Sequence, residues 1–153
     1  MQRSCRNFML RPCLYKNLVL VILSIFIATP VAAHTVKVSE NVGGLLHIEP
    51  QDNPRAGESA KIWIVLTRHG GETIPLEKCN CQLSIYPKPH TKGNTPLLKP
   101  TLQAITAEKY RGVPGADVVF PKAGAYEIEI SGTPKPGASF KPFKLSYTVN
   151  VSS

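Results

Sequence analysis

Proline and glycine punctuation constrains this chain more than any other feature: all 11 glycines and 12 of the 14 prolines lie after Ala33. Proline removes a backbone donor and clashes with the preceding helical turn, and glycine loosens whatever element it interrupts. The stretches left between these breaks are too short for long helices, and their apolar residues recur every second position, as strands require. Ser59 to Arg68 sets Ile62, Ile64 and Leu66 against Lys61, Trp63, Val65 and Thr67. Cys79, Cys81, Leu83 and Ile85 share one face, opposite Asn80, Gln82, Ser84 and Tyr86. Tyr126, Ile128 and Ile130 oppose Glu127 and Glu129, and Phe143, Leu145, Tyr147, Val149 and Val151 oppose Lys144, Ser146, Thr148 and Asn150. Such alternation predicts strands with one buried and one wet face.

Shorter candidate strands are Thr35 to Ser39, Leu45 to Glu49, Thr73 to Leu76, Leu97 to Ile105 and Asp117 to Phe120. Turn signals fall at residues 50–54, 69–71, 92–94, at Pro114-Gly115 and at residues 134–137. Prolines between Pro87 and Pro114 demote that stretch to loop or edge strand. The spacing predicts an all-β domain, an antiparallel two-sheet immunoglobulin-like sandwich of about seven to nine strands.

The first 33 residues read differently. Arg3, Arg6, Arg11 and Lys16 precede the apolar run from Leu18 to Ala28, Pro30 ends it, and Val31-Ala32-Ala33 offers small residues where a signal peptidase reads. A run of about 11 apolar residues is too short for a bilayer core, which takes about 20. This is the layout of a signal peptide spanning residues 1–33, cleaved after Ala33 to leave a β-sandwich domain of residues 34–153 outside the cytoplasm, in a periplasm, a lumen or the medium. No membrane insertion is expected after cleavage. The leader carries four of the 18 basic residues and none of the 10 acidic ones, so 14 basic against 10 acidic residues remain, a net charge of +4. The remaining lysines are scattered rather than gathered along one path, which argues against nucleic acid as a partner.

A family resemblance rests on three stretches. Pro54-Arg55-Ala56-Gly57-Glu58 ahead of an apolar strand, the strand from Cys81 to Tyr86, and Phe120-Pro121-Lys122-Ala123-Gly124-Ala125-Tyr126-Glu127-Ile128-Glu129-Ile130 resemble the YtkA-like and CopC-like bacterial periplasmic sandwiches. The resemblance covers most of the chain after the leader and implies an immunoglobulin-like fold. Some members of those families bind copper. The methionine-rich segment of several of them is missing, since Met1 and Met9 are the only methionines and both lie in the leader.

Two features could carry metal chemistry. Cleavage after Ala33 makes His34 the first residue, whose amine and imidazole together chelate copper(II) well. This arrangement resembles the copper site of CopC-like proteins and of lytic polysaccharide monooxygenases, where a second histidine completes a brace; His47, His69 and His90 are the candidates here. The second feature is Cys79-Asn80-Cys81. Residues i and i+2 of a strand point the same way with Cα atoms about 6.5 Å apart, so the pair can be soft ligands for copper(I), a redox-active disulfide, or two small core residues. His69 in a His-Gly-Gly turn and His90 in a Pro/Lys/Gly loop are expected to be solvated, and His47 shares its strand face with Leu45 and Glu49.

Nothing points to an enzyme: the chain has no Gly-x-Ser-x-Gly elbow, no His-Glu-x-x-His helix and no phosphate-cradling loop. Glu127 and Glu129 read as a solvated stripe, and Tyr126 as a core anchor of the tyrosine-corner kind. The candidate metal ligands are His34, Cys79, Cys81 and His47. The expected function is non-catalytic, either binding or delivering copper or, without metal, binding a protein partner or glycan, with the cysteine pair structural or a disulfide. The leader is tested directly by the intact mass of exported protein, which should lack residues 1–33; a mass that includes them removes both cleavage and the N-terminal chelate.

Overall fold

The computed structural model describes residues 36–153. The expected leader, residues 1–33, and His34 lie outside the described residues. Among those described, eight strands form: β1 (Val36–Ser39), β2 (Val42–Glu49), β3 (Ser59–Arg68), β4 (Cys79–Pro87), β5 (Gln103–Ala107), β6 (Tyr110–Val119), β7 (Gly124–Pro134) and β8 (Phe143–Val151). They make a five-stranded sheet in the order β1-β2-β3-β6-β5 and a three-stranded sheet in the order β4-β7-β8. Every strand pairing is antiparallel. This is the all-β sandwich expected from the alternation. No helix among the described residues is long and apolar enough to cross a membrane.

The inner faces carry the core. Ile62, Ile64 and Leu66 of β3 are fully buried, as are Leu83 and Ile85 of β4, Ile128 and Ile130 of β7 and Leu145 of β8. Each lies on the face that the two-residue period assigns to it. Fully burying a side chain of this size contributes about 1.5–3 kcal/mol, so the seam between the sheets is the main source of stability. Gly44 of β2 belongs to it: a Cβ there would lie 2.6 Å from the Tyr147 hydroxyl, so glycine lets Tyr147 cross toward β2. That hydroxyl is buried without a hydrogen-bond partner among the described residues, and burial pushes its pKa well above the usual tyrosine value.

One end is closed by the segments that carry the family resemblance. The Gly57 amide donates to the Phe120 carbonyl at 2.9 Å and the Ala56 amide to the Ser152 carbonyl at 2.8 Å. Gly57 has φ +80°, a conformation that an L side chain rarely adopts. The Tyr126 hydroxyl donates to the Lys122 carbonyl at 2.8 Å while its ring packs 5.0 Å from that of Phe120. Tyr126 is thus the corner tyrosine that its position suggested.

Four local expectations are corrected. Residues 73–76 form no strand; Thr73 makes a single bridge to Thr67, and the chain then enters a short 3-10 turn at Leu76–Lys78. Leu97 to Ile105 is divided: Leu98 bridges Ile85, and the regular strand starts only at Gln103. Pro114-Gly115 is not a turn but lies inside β6, which stands between β3 and β5. Proline is tolerated there because the ladder with β3 stops at Gly115, leaving Pro114 paired to β5 alone. Finally, the outer face of β3 is not wet. Trp63 and Val65 are buried with Ala107 and Val113 in a second cluster, flanked by Leu45, Ile105 and Tyr110. Gly115 makes room for this cluster, since a Cβ there would meet Ile105 Cγ1 at 2.9 Å.

The strand faces predict contrasting substitutions. Ile128→Ala should cost about 2–5 kcal/mol in urea unfolding. Lys144→Ala removes an ion pair between a largely exposed lysine and the half-buried Glu129, so it should cost about 1 kcal/mol, well below Ile128→Ala.

Candidate functional site

The cysteine pair opens β4. After the turn at Leu76–Lys78 the backbone becomes extended at Cys79, and the ladder with β7 sets Cys79 opposite Pro134 and Cys81 opposite Gly132. Cys79 and Cys81 are joined in a disulfide, with Cα atoms 5.2 Å apart. Cys79 is 2% exposed, whereas Cys81 is partly exposed and packs at the edge of the core. Gly132 is the partner residue that makes this arrangement fit. A Cβ there would lie 2.6 Å from Cys79 Sγ, 2.9 Å from Cys81 Sγ and 2.8 Å from Phe143 Cε1.

β4 is an edge strand of its sheet. Its second half is covered, because the Ile85 amide donates to the Leu98 carbonyl and the Leu97 amide to the Ile85 carbonyl. Its first half borders a groove of about 530 Å³ lined by residues that include Cys79, Cys81, Gln82, Lys99, Leu102 and Lys135. The Lys135 side chain is held on the rim by its contact, at 3.5 Å, with the Leu76 carbonyl. A disulfide stabilises chiefly by restricting the unfolded chain, and the restriction grows with loop length. A link across only two residues is therefore worth roughly 1–2 kcal/mol at most, against about 3 for a loop of 15.

The other candidate ligands lie elsewhere. His34 is outside the described residues. His47 is in β2, on the outer face of the five-stranded sheet, buried and stacked on Trp63 with ring centroids 4.0 Å apart and planes 9° apart. The register places His47 directly opposite Trp63, and the indole N–H donates to Glu49 Oε1 at 3.1 Å. The cysteine pair belongs to the other sheet, so the structure does not bring His47 and the cysteines together. Among the described residues no group of three or more His, Cys, Asp and Glu side chains could hold a metal ion.

A second cluster was not legible from the sequence. His90, expected to be solvated, stacks on Tyr86 with centroids 4.5 Å apart, and its Nε2 lies 3.3 Å from Glu127 Oε1. Its Nδ1 is buried with no hydrogen-bond partner among the described residues. Glu127 also faces Lys88 at 3.8 Å, and Glu129 faces Lys144 at 2.9 Å. The glutamates are therefore half-buried members of an ion-pair network, not a solvated stripe. Lys144 is held above the usual lysine pKa, first by its hydrogen bond to Glu129. Only the loop after β4, which turns back over the β4 and β7 outer faces, brings His90 here; no local spacing could have shown it.

No protein-family profile matches the chain, and no curated protein matches it. Solved structures do. The chain is similar to FetP of uropathogenic Escherichia coli strain F11, in the as-isolated form recombinantly expressed in the E. coli periplasm, with a TM-score of 0.55, 15% identity, and 78% of this chain and 93% of that one covered. It is equally similar to a copper-bound variant of FetP in which one glutamate is replaced by glutamine, with a TM-score of 0.55, 14% identity, and 78% and 95% covered. At this identity the likeness establishes a shared fold, which accords with the sandwich resemblance seen in the sequence. The YtkA-like and CopC-like families themselves receive no direct match.

The role of Gly132 is open to measurement. Gly132→Ala should destabilise the oxidised protein by about 1–3 kcal/mol through overpacking against the sulfurs and Phe143. The loss should shrink in a Cys79→Ala/Cys81→Ala background, as read from urea midpoints.

Proposed function

We propose that this chain is an exported, non-catalytic β-sandwich that binds or delivers copper, through His34 at a mature N-terminus, through the reduced Cys79–Cys81 pair, or through both. The observation that carries this reading is the placement of two cysteines on one strand face, 5.2 Å apart at Cα, beside an open groove. The fold it shares with FetP, one of whose structures is a copper-bound variant, supports the same reading. Fit depends on oxidation state. A disulfide offers no thiolate and cannot take the ion, whereas two reduced sulfurs on a common face suit copper(I), a soft ion that prefers thiolates. His34 would supply an amine and an imidazole, donors suited to copper(II). His47 lies on β2 of the other sheet from the cysteine pair, so it is a candidate second ligand for the His34 set rather than for the thiolates.

The disulfide itself favours a second reading, a metal-free extracytoplasmic module that binds a protein partner or glycan. The two readings separate in one titration series. Signal-free, reduced protein titrated with copper(I) and copper(II) against chelators should lose copper(I) binding by at least about 100-fold, about 2.7 kcal/mol, in Cys79→Ser/Cys81→Ser. Copper(II) binding should fall in a variant with one extra residue before His34, and His47→Ala should have little effect on copper(I) binding. Wild type binding no tighter than the Cys79→Ser/Cys81→Ser and extended-N-terminus variants would remove the metal reading and leave the partner-binding module.

A further inference from the structure

We propose that Cys79–Cys81 is a redox centre that exchanges its disulfide with the dithiol of a partner protein entering the groove along the first half of β4. Three features support this, and none depends on copper. First, the link spans two residues of a strand that the β7 ladder already holds in register from Cys79 to Pro87, so it restrains little that the sheet does not restrain. The same ladder keeps the two thiols close after reduction, which favours reclosure. Second, the two sulfurs differ in access. Both residues line the groove, but Cys79 is 2% exposed within the core, while Cys81 is partly exposed. Third, Lys99 and Lys135 line the groove, so an incoming thiolate meets positive charge on its way into it.

The order of events follows from this access. A thiolate of the partner attacks Cys81 Sγ in line with the sulfur–sulfur bond. That bond breaks, its electron pair leaves on Cys79 Sγ, and a mixed disulfide joins Cys81 to the partner. The partner's second thiolate then attacks its own sulfur in the mixed disulfide and releases Cys81 as a thiolate. Two electrons have passed to the cysteine pair, which takes up the two protons given up by the partner dithiol, and the partner leaves as a disulfide. In the reverse direction the reduced pair passes two electrons and two protons to a partner disulfide, with Cys81 again the sulfur that forms the mixed disulfide.

The test uses the full exported protein in its oxidised form, with reduced thioredoxin as the dithiol probe and alkylation followed by mass measurement as the readout. The pair should be reduced in native buffer at a rate within about 100-fold of that in concentrated urea, with the far-ultraviolet circular dichroism unchanged. Glutathione disulfide then tests polarity: Cys79→Ser, which leaves Cys81, should form a mixed disulfide at least about tenfold faster than Cys81→Ser, which leaves the buried Cys79. Reduction more than about 100-fold slower in native buffer than in urea would overturn the proposal, as would equal rates for the two variants. The wild-type measurement stands even if a variant folds poorly. A protein that binds no copper can pass this test and one that binds copper(I) can fail it, so its outcome is distinct from that of the titration.

Discussion

The contact between the inner faces of the two sheets holds everything else in place. Ile62, Ile64 and Leu66 on one side meet Leu83, Ile85, Ile128, Ile130 and Leu145 on the other, all with 2% exposure or less. Eight such side chains contribute on the order of 10–20 kcal/mol before the entropy of ordering the chain is set against them. The exposed ion pairs on the outer surface are each worth no more than about 1 kcal/mol. Hydrogen bonds across the sandwich edge, such as the Lys144 amide to Ser39 Oγ at 3.3 Å and the Lys141 amide to Asn41 Oδ1 at 2.8 Å, align the first hairpin with β8 but do not hold the sheets together alone.

That seam also explains the asymmetry of the cysteine pair. β4 runs with its odd-numbered residues inward, so Cys79 and Cys81 continue the line of Leu83 and Ile85 toward the end of the sheet. The core reaches as far as Cys79, and Cys81 sits where Gly132 opposite supplies no side chain to cover it. A position at the margin of the core is rigid enough to hold two sulfurs together and open enough for a reagent to approach.

The two outer faces have diverged. On the larger sheet, Trp63, Val65 and Val113 build a small second core over which His47 stacks. On the smaller sheet, Glu127, Glu129, Lys88, Lys144 and His90 form charged contacts around Tyr86. The same two-residue period produces both surfaces. Both β3 and β7 are flanked on two sides; what differs is the cover, since apolar Leu45, Ile105 and Tyr110 pack against the outer side of β3, whereas charged residues and His90 meet the outer side of β7.

The sequence by itself determined the strands with strong alternation, their inward faces and the corner role of Tyr126, because each depends on residues two to four positions apart. It also showed that Cys79 and Cys81 share a face, for the same reason. Only the tertiary structure decided how eight strands divide into sheets of five and three, that Pro114 lies within a strand, that Trp63 and Val65 are buried on the outer side, and that His90 reaches Glu127. Each of these depends on which distant segment lies alongside, a choice made by the summed packing of the whole chain rather than by any local pattern. The Cys79–Cys81 link lies between these cases: the spacing permits three outcomes, and the close approach of the two Cα atoms on a strand backed by Gly132 selects the disulfide.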